Sequence, residues 1–74
     1  MTQAQSELLE ITVNGNPKKV LFGGSVRTLL DALSVSPDRV AVELNGSIVR
    51  KRDWDQTIIP EGSRIEIVEF VGGG

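Results

Sequence analysis

The 74-residue chain carries 8 Lys and Arg against 10 Asp and Glu, for a net charge of −2, and contains neither Cys nor His. That composition removes disulfides, thiolate nucleophiles, imidazole general bases and the usual zinc ligands together, and the acidic balance argues against nucleic acid as the main partner. A chain this short supports one domain with a thin core, so any chemistry it takes part in is simple or is supplied by another protein.

Residues 1–7 are polar and without apolar periodicity, and they read as a mobile leader. They have neither the basic start nor the apolar stretch of a secretory signal. No apolar run anywhere in the chain is long enough to cross a bilayer, so we expect a cytoplasmic protein with no membrane partner. From Leu8 the pattern alternates strictly, with Leu9, Ile11 and Val13 set against Glu10, Thr12 and Asn14, the signature of a strand with one buried and one wet face. Asn14-Gly15-Asn16-Pro17 supplies turn chemistry, and Lys18 to Phe22 reads as the return strand.

Gly23-Gly24-Ser25 opens the one convincing helix, with Ser25 as N-cap and Val26, Leu29, Leu30 and Leu33 recurring on one face. A glycine-rich turn before a helix can also cradle phosphate, but no Lys-Ser/Thr pair follows as a P-loop requires, and plain helix entry is the reading we adopt. Ser34-Val35-Ser36-Pro37-Asp38 ends the helix, because Pro37 disfavours helical geometry at the residue before it.

Val40, Val42 and Leu44 then alternate with Ala41, Glu43 and Asn45, and Asn45-Gly46 turns the chain into Ser47–Arg50. Asn45-Gly46-Ser47 also matches a glycosylation sequon, idle without a secretory signal. Arg50-Lys51-Arg52 reads as a solvated basic rim, and Trp54 as a cap packed over one end of the core. Pro60 to Ser63 makes a turn. The last strand runs from Arg64 to Phe70, with Ile65 and Ile67 toward the helix and Arg64, Glu66, Val68 and Phe70 outward.

Beyond it stand Val71-Gly72-Gly73-Gly74. Without a Cβ, Gly72, Gly73 and Gly74 cannot pack into a core but can thread a channel too narrow for a side chain, and residues 71–74 fully extended reach about 13 Å. The organisation is therefore a leader (1–7), a folded domain (8–71) and a flexible glycine tail (72–74). One helix cannot cover both faces of such a sheet. The economical arrangement is α+β, a β-grasp: a mixed sheet of four to five strands with the helix across one face and the first and last strands parallel at the centre. The elements follow from periodicity; the strand pairing follows from analogy with that fold.

Val40-Ala41-Val42-Glu43-Leu44-Asn45-Gly46-Ser47-Ile48-Val49, Arg52-Asp53-Trp54, Glu61-Gly62-Ser63-Arg64-Ile65-Glu66-Ile67-Val68 and the closing Gly72-Gly73-Gly74, in that order and spacing, resemble the sulfur-carrier proteins of thiamine biosynthesis, the ThiS family, which are ubiquitin-like. The resemblance covers about residues 11–74. It implies that an adenylating enzyme uses ATP and Mg²⁺ to activate the carboxylate of Gly74, that sulfur from a donor protein converts it to a thiocarboxylate, and that thiazole synthase consumes the product. Gly72 and Gly73 would supply the slender approach. The chain would then be a cosubstrate rather than an enzyme, with no catalytic residue, metal or cofactor of its own. Outward Val68 and Phe70, with neighbouring Ala41, are the expected docking surface. Three other readings stand beside it: the small subunit of molybdopterin synthase, a sibling carrier; a ubiquitin-like protein modifier, which shares the chemistry up to the adenylate; and a plain β-grasp interaction domain, for which the tail is irrelevant.

Overall fold

The alternation from Leu8 builds strand β1 (Leu8–Val13), with Leu9 and Ile11 buried and Val13 half-buried. The computed structural model describes residues 8–70, so the expected leader and residues 71–74 lie outside the described part. Asn14 and Gly15, at φ 51° and 83°, turn the chain back into β2 (Asn16–Leu21), antiparallel to β1. The turn is tighter than the four residues expected. Positive φ at both central positions closes it in two, and Pro17 falls inside β2, where an outer strand tolerates it.

Helix α1 (Val26–Leu33) starts on a reciprocal cap: the Thr28 amide donates to Ser25 Oγ at 3.2 Å, and the Ser25 amide donates to Thr28 Oγ1 at 2.9 Å. Val26, Leu29 and Leu30 are buried, and Leu33 packs against the core more loosely. The helix stops at Ser34, which adopts a left-handed φ of 60°. Pro37 acts otherwise than expected: it opens a 3₁₀ turn (Pro37–Arg39), having fixed φ at a position that needs no amide donor.

Strand β3 (Val40–Leu44) pairs with the short β4 (Ser47–Val49) through Asn45-Gly46, at φ 52° and 89°. A 3₁₀ turn (Lys51–Asp53) follows, then an irregular stretch to Ile59 that lies against the helix start and includes a β-bridge from Ile58 to Ser25. Finally β5 (Arg64–Glu69) inserts parallel to β1 and antiparallel to β3, giving the order β2-β1-β5-β3-β4. Five strands crossed on one face by one helix, with the first and last side by side and parallel, form the β-grasp that the sequence pattern suggests.

Ile11, Val26, Leu30, Val42 and Ile65 make the core between sheet and helix. Trp54 packs on the core, as expected. It is 1% exposed and belongs to the core cluster, with its indole N–H donating to the Val49 carbonyl at 3.0 Å, so the ring is buried without an orphaned donor. The Arg27 guanidinium lies 5.4 Å from the ring centroid and pairs with Asp55 at 3.3 Å. No helix of the described residues is long and apolar enough to cross a membrane.

Candidate functional site

Because β5 lies between β1 and β3, it is paired with β1 at Arg64 and Ile65 and with β3 from Ile65 to Glu69 as it approaches residue 70. On the β3 side the hold reaches the last described residue, where the Phe70 amide donates to the Arg39 carbonyl at 2.7 Å. On the β1 side the strand has already turned away at Asn14, but its side chain replaces the missing ladder. Asn14 Oδ1 accepts from the Ile67 amide at 2.7 Å, and Asn14 Nδ2 donates to the Ile67 carbonyl at 3.2 Å. Asn45 does the same at the other end of β5, where its Oδ1 accepts from the Arg64 amide at 2.8 Å. Both asparagines were legible as turn residues; their second role needs the sheet order, which periodicity does not contain.

The sheet face away from α1 carries the expected docking residues. Val68 stands directly opposite Ala41 in the β5–β3 register and is 58% exposed, Ala41 is half-buried, and Phe70 is 53% exposed just past the end of β5. The next row across the sheet is Glu66, Glu43 and exposed Ile48. An apolar step is thus bordered by two carboxylates, a feature not anticipated from the sequence, where those acids read only as the wet half of an alternation. The structure brings Val68, Phe70 and Ala41 to one face at the end of the terminal strand. Gly72, Gly73 and Gly74 lie outside the described residues.

Two other sequence features lead away from ligand chemistry. The start of α1 offers no open amide cradle: the Val26 amide donates to the Thr57 carbonyl at 2.9 Å, the Arg27 amide to the Trp54 carbonyl at 3.1 Å, and the Thr28 amide to Ser25. Those are the donors an anion would need. Of the basic cluster, Lys51 bonds Asp38, and that hydrogen bond together with the ammonium charge holds the Asp38 carboxyl below its ordinary value. Among the described residues no group of three or more carboxylates is placed to hold a metal ion.

Comparison with known proteins agrees with this geometry. The model of the ThiS family matches residues 11–74. A thiazole synthase from Magnetococcus marinus is 35% identical over 66 residues, which are 89% of this chain and 20% of that protein, so the chain spans about a fifth of its length. The sulfur carrier protein ThiS of Escherichia coli is 27% identical over 89% of this chain and its own entire length. The crystal structure of a thiamine biosynthesis protein, ThiS, from Geobacter metallireducens superimposes with a TM-score of 0.78 at 38% identity, covering 89% of this chain and 100% of that one.

Proposed function

The chain belongs to the ThiS family, ubiquitin-like sulfur carriers of thiamine biosynthesis that are acted upon rather than catalytic, and from that membership we propose that Gly74 is the residue that carries sulfur. The observation that supports this most directly is the continuity of the match, which runs through β5 and the three glycines to residue 74. A strand held on its β3 edge as far as Phe70, and on its β1 edge as far as Ile67, gives such a tail a fixed origin.

A glycine carboxylate is ionised at neutral pH and is a poor electrophile, so an adenylating enzyme must activate it. A carboxylate oxygen of Gly74 attacks the α-phosphorus of ATP, with pyrophosphate leaving. The terminal sulfur of a donor protein's persulfide then attacks the acyl carbon and AMP leaves; a thiol attacks the donor-side sulfur of the resulting acyl disulfide, the S–S bond breaks, the donor is left in a disulfide with that thiol, and the tail ends in a thiocarboxylate. ATP and Mg²⁺ belong to that enzyme, and no described residue of this chain is assigned to them. Gly72 and Gly73 thread the enzyme's channel, while Val68, Phe70 and Ala41 dock against its surface, with Glu43 and Glu66 selecting a basic rim. Thiazole synthase is the consumer in this reading. The Magnetococcus thiazole synthase, which contains a segment like this chain within its own polypeptide, supports that assignment. The same reading places the chain in the cytoplasm.

Intact mass of the protein from cells grown without thiamine tests the proposal. A species heavier by about 16 Da, sulfur for one oxygen, that alkylates at Gly74 in a chain without competing thiols is the expected result. It should disappear on incubation with thiazole synthase. An unchanged carboxylate after incubation with adenylating enzyme, ATP and a sulfur source would overturn it.

A further inference from the structure

Strand β2 ends the sheet on the side away from β4, and its backbone alternates between groups used by β1 and groups aimed outward. The Thr12 amide donates to the Ser63 carbonyl at 3.0 Å, and the Glu10 carbonyl accepts from the Gly62 amide at 2.9 Å, so the backbone polar groups of Thr12 and Glu10 point toward the β5 side. Their partners across the β1–β2 ladder, Pro17 and Lys19, therefore aim theirs the other way, and Leu21 follows in phase. Pro17 has no donor to lose, and the Leu21 carbonyl is already bonded by the Gly24 amide at 3.2 Å. What stays open among the described residues is a short row: the Pro17 carbonyl, the Lys19 amide and carbonyl, and the Leu21 amide.

Beside that row runs a groove of 280 Å³ between β2 and α1, lined by Lys18, Val20, Thr28, Leu29 and Ala32. A strand added to β2 would drop alternate side chains into it. Lys18 borders the groove and Lys19 lies on the opposite face of β2, and neither lysine is ion-paired with a described residue. Glu10 stands opposite Lys19 in the β1–β2 register, so it is Lys18, opposite apolar Ile11 and beside the groove, that makes this edge cationic.

We propose that the β2 edge and its groove bind an extended apolar segment of another protein flanked by carboxylates, added to the sheet as a sixth strand. A second copy of this chain fits poorly, since β2 against β2 would set lysines against lysines, and β4 offers three residues for pairing. The site lies apart from the Val68–Ala41 face and does not depend on the sulfur-carrying assignment.

The test is a ¹⁵N chemical-shift titration of the whole chain with two synthetic peptides, VIVLDDE and its lysine-flanked counterpart VIVLKKK. Binding of the acidic peptide should shift the amides of residues 18–21 and 28–32, and should slow hydrogen exchange at Lys19 and Leu21. The double variant Lys18→Glu/Lys19→Glu, on the surface and checked for native spectral dispersion, should weaken it at least about fivefold. Three results would each overturn the proposal: no shifts at millimolar peptide, shifts confined to the Ala41–Val68 face, or equal affinity for the lysine-flanked peptide.

Discussion

Asn14 shows how much a single side chain contributes at the end of a strand. It occupies the left-handed region at φ 51° and also carries two hydrogen bonds to Ile67, so an alanine there would confound backbone strain with lost bonding. Asn14→Gly separates the two, because glycine keeps positive φ at no steric cost. The expected result is a loss of about 1 kcal/mol in chemical denaturation and faster hydrogen exchange at the Ile67 amide, with the hairpin intact. Unchanged exchange at Ile67 would show that the side chain does not hold β5. Asp38 gives a pH-dependent case. Lys51 depresses its carboxyl, so the stability from this pair is present above the unfolded-state value and lost as pH falls through the lower folded-state value. Denaturation midpoints of Lys51→Met should fall slightly below wild type at neutral pH, since the pair is exposed, and the gap should close once Asp38 is protonated in both. The sequence disclosed the turn chemistry of Asn14 and the charges near Arg50, but not Asp38 as partner to Lys51, because that pair joins two 3₁₀ turns brought together by β3 and β4.

Among the elements, the helix was the most legible and the stretch after β4 the least. Val26, Leu29, Leu30 and Leu33 mark one face of a 3.6-residue period, and Ser25 marks its start. The unread part is the reciprocal bond from Thr28, which replaces the longer Glu or Gln usual in such a cap. Ser25→Ala should cost about 1 kcal/mol in denaturation, and retention of full stability would mean that the neighbouring backbone satisfies the Thr28 amide unaided. Gly24 belongs to the same arrangement. A Cβ there would stand 3.0 Å from Thr28 Oγ1 and 3.3 Å from the Leu21 carbonyl, tight on both sides. The segment from Trp54 to Ile59 has no periodicity because its order comes from elsewhere: carbonyls of Trp54 and Thr57 receive the first amides of α1, the Ile59 amide reaches the Gly24 carbonyl, and Trp54 enters the core. Such a segment is fixed by its partners, and a local pattern cannot reveal it.

At the scale of the molecule, periodicity supplied the elements while the pairing of β1 with β5 came from analogy, since these strands are separated by nearly the whole domain. The outward placement of Val68 and Phe70, the residues proposed to dock, was legible in the alternation; the carboxylates beside them were not, because Glu43 and Glu66 meet through register. Two variants divide the proposed roles. Phe70→Ala should weaken binding to the adenylating enzyme about tenfold while leaving the melting temperature nearly unchanged. Gly74→Ala should fold and dock normally yet lose adenylation about a hundredfold, as misplacement of a reacting carbonyl does. Wild-type adenylation in Gly74→Ala would remove the argument that the tail must be slender, and wild-type affinity in Phe70→Ala would move docking elsewhere. The central position of β5 also bears on synthesis. A nascent chain that has made every element except the last has an outer hairpin on each side and an empty slot between them, with Ile65 missing from the core. Until residues 64–70 clear the ribosome, the sheet has no middle, and the surface leading to the glycines does not exist. Under the proposed function, a chain terminated before β5 would lack both the tail and the Val68–Phe70 face.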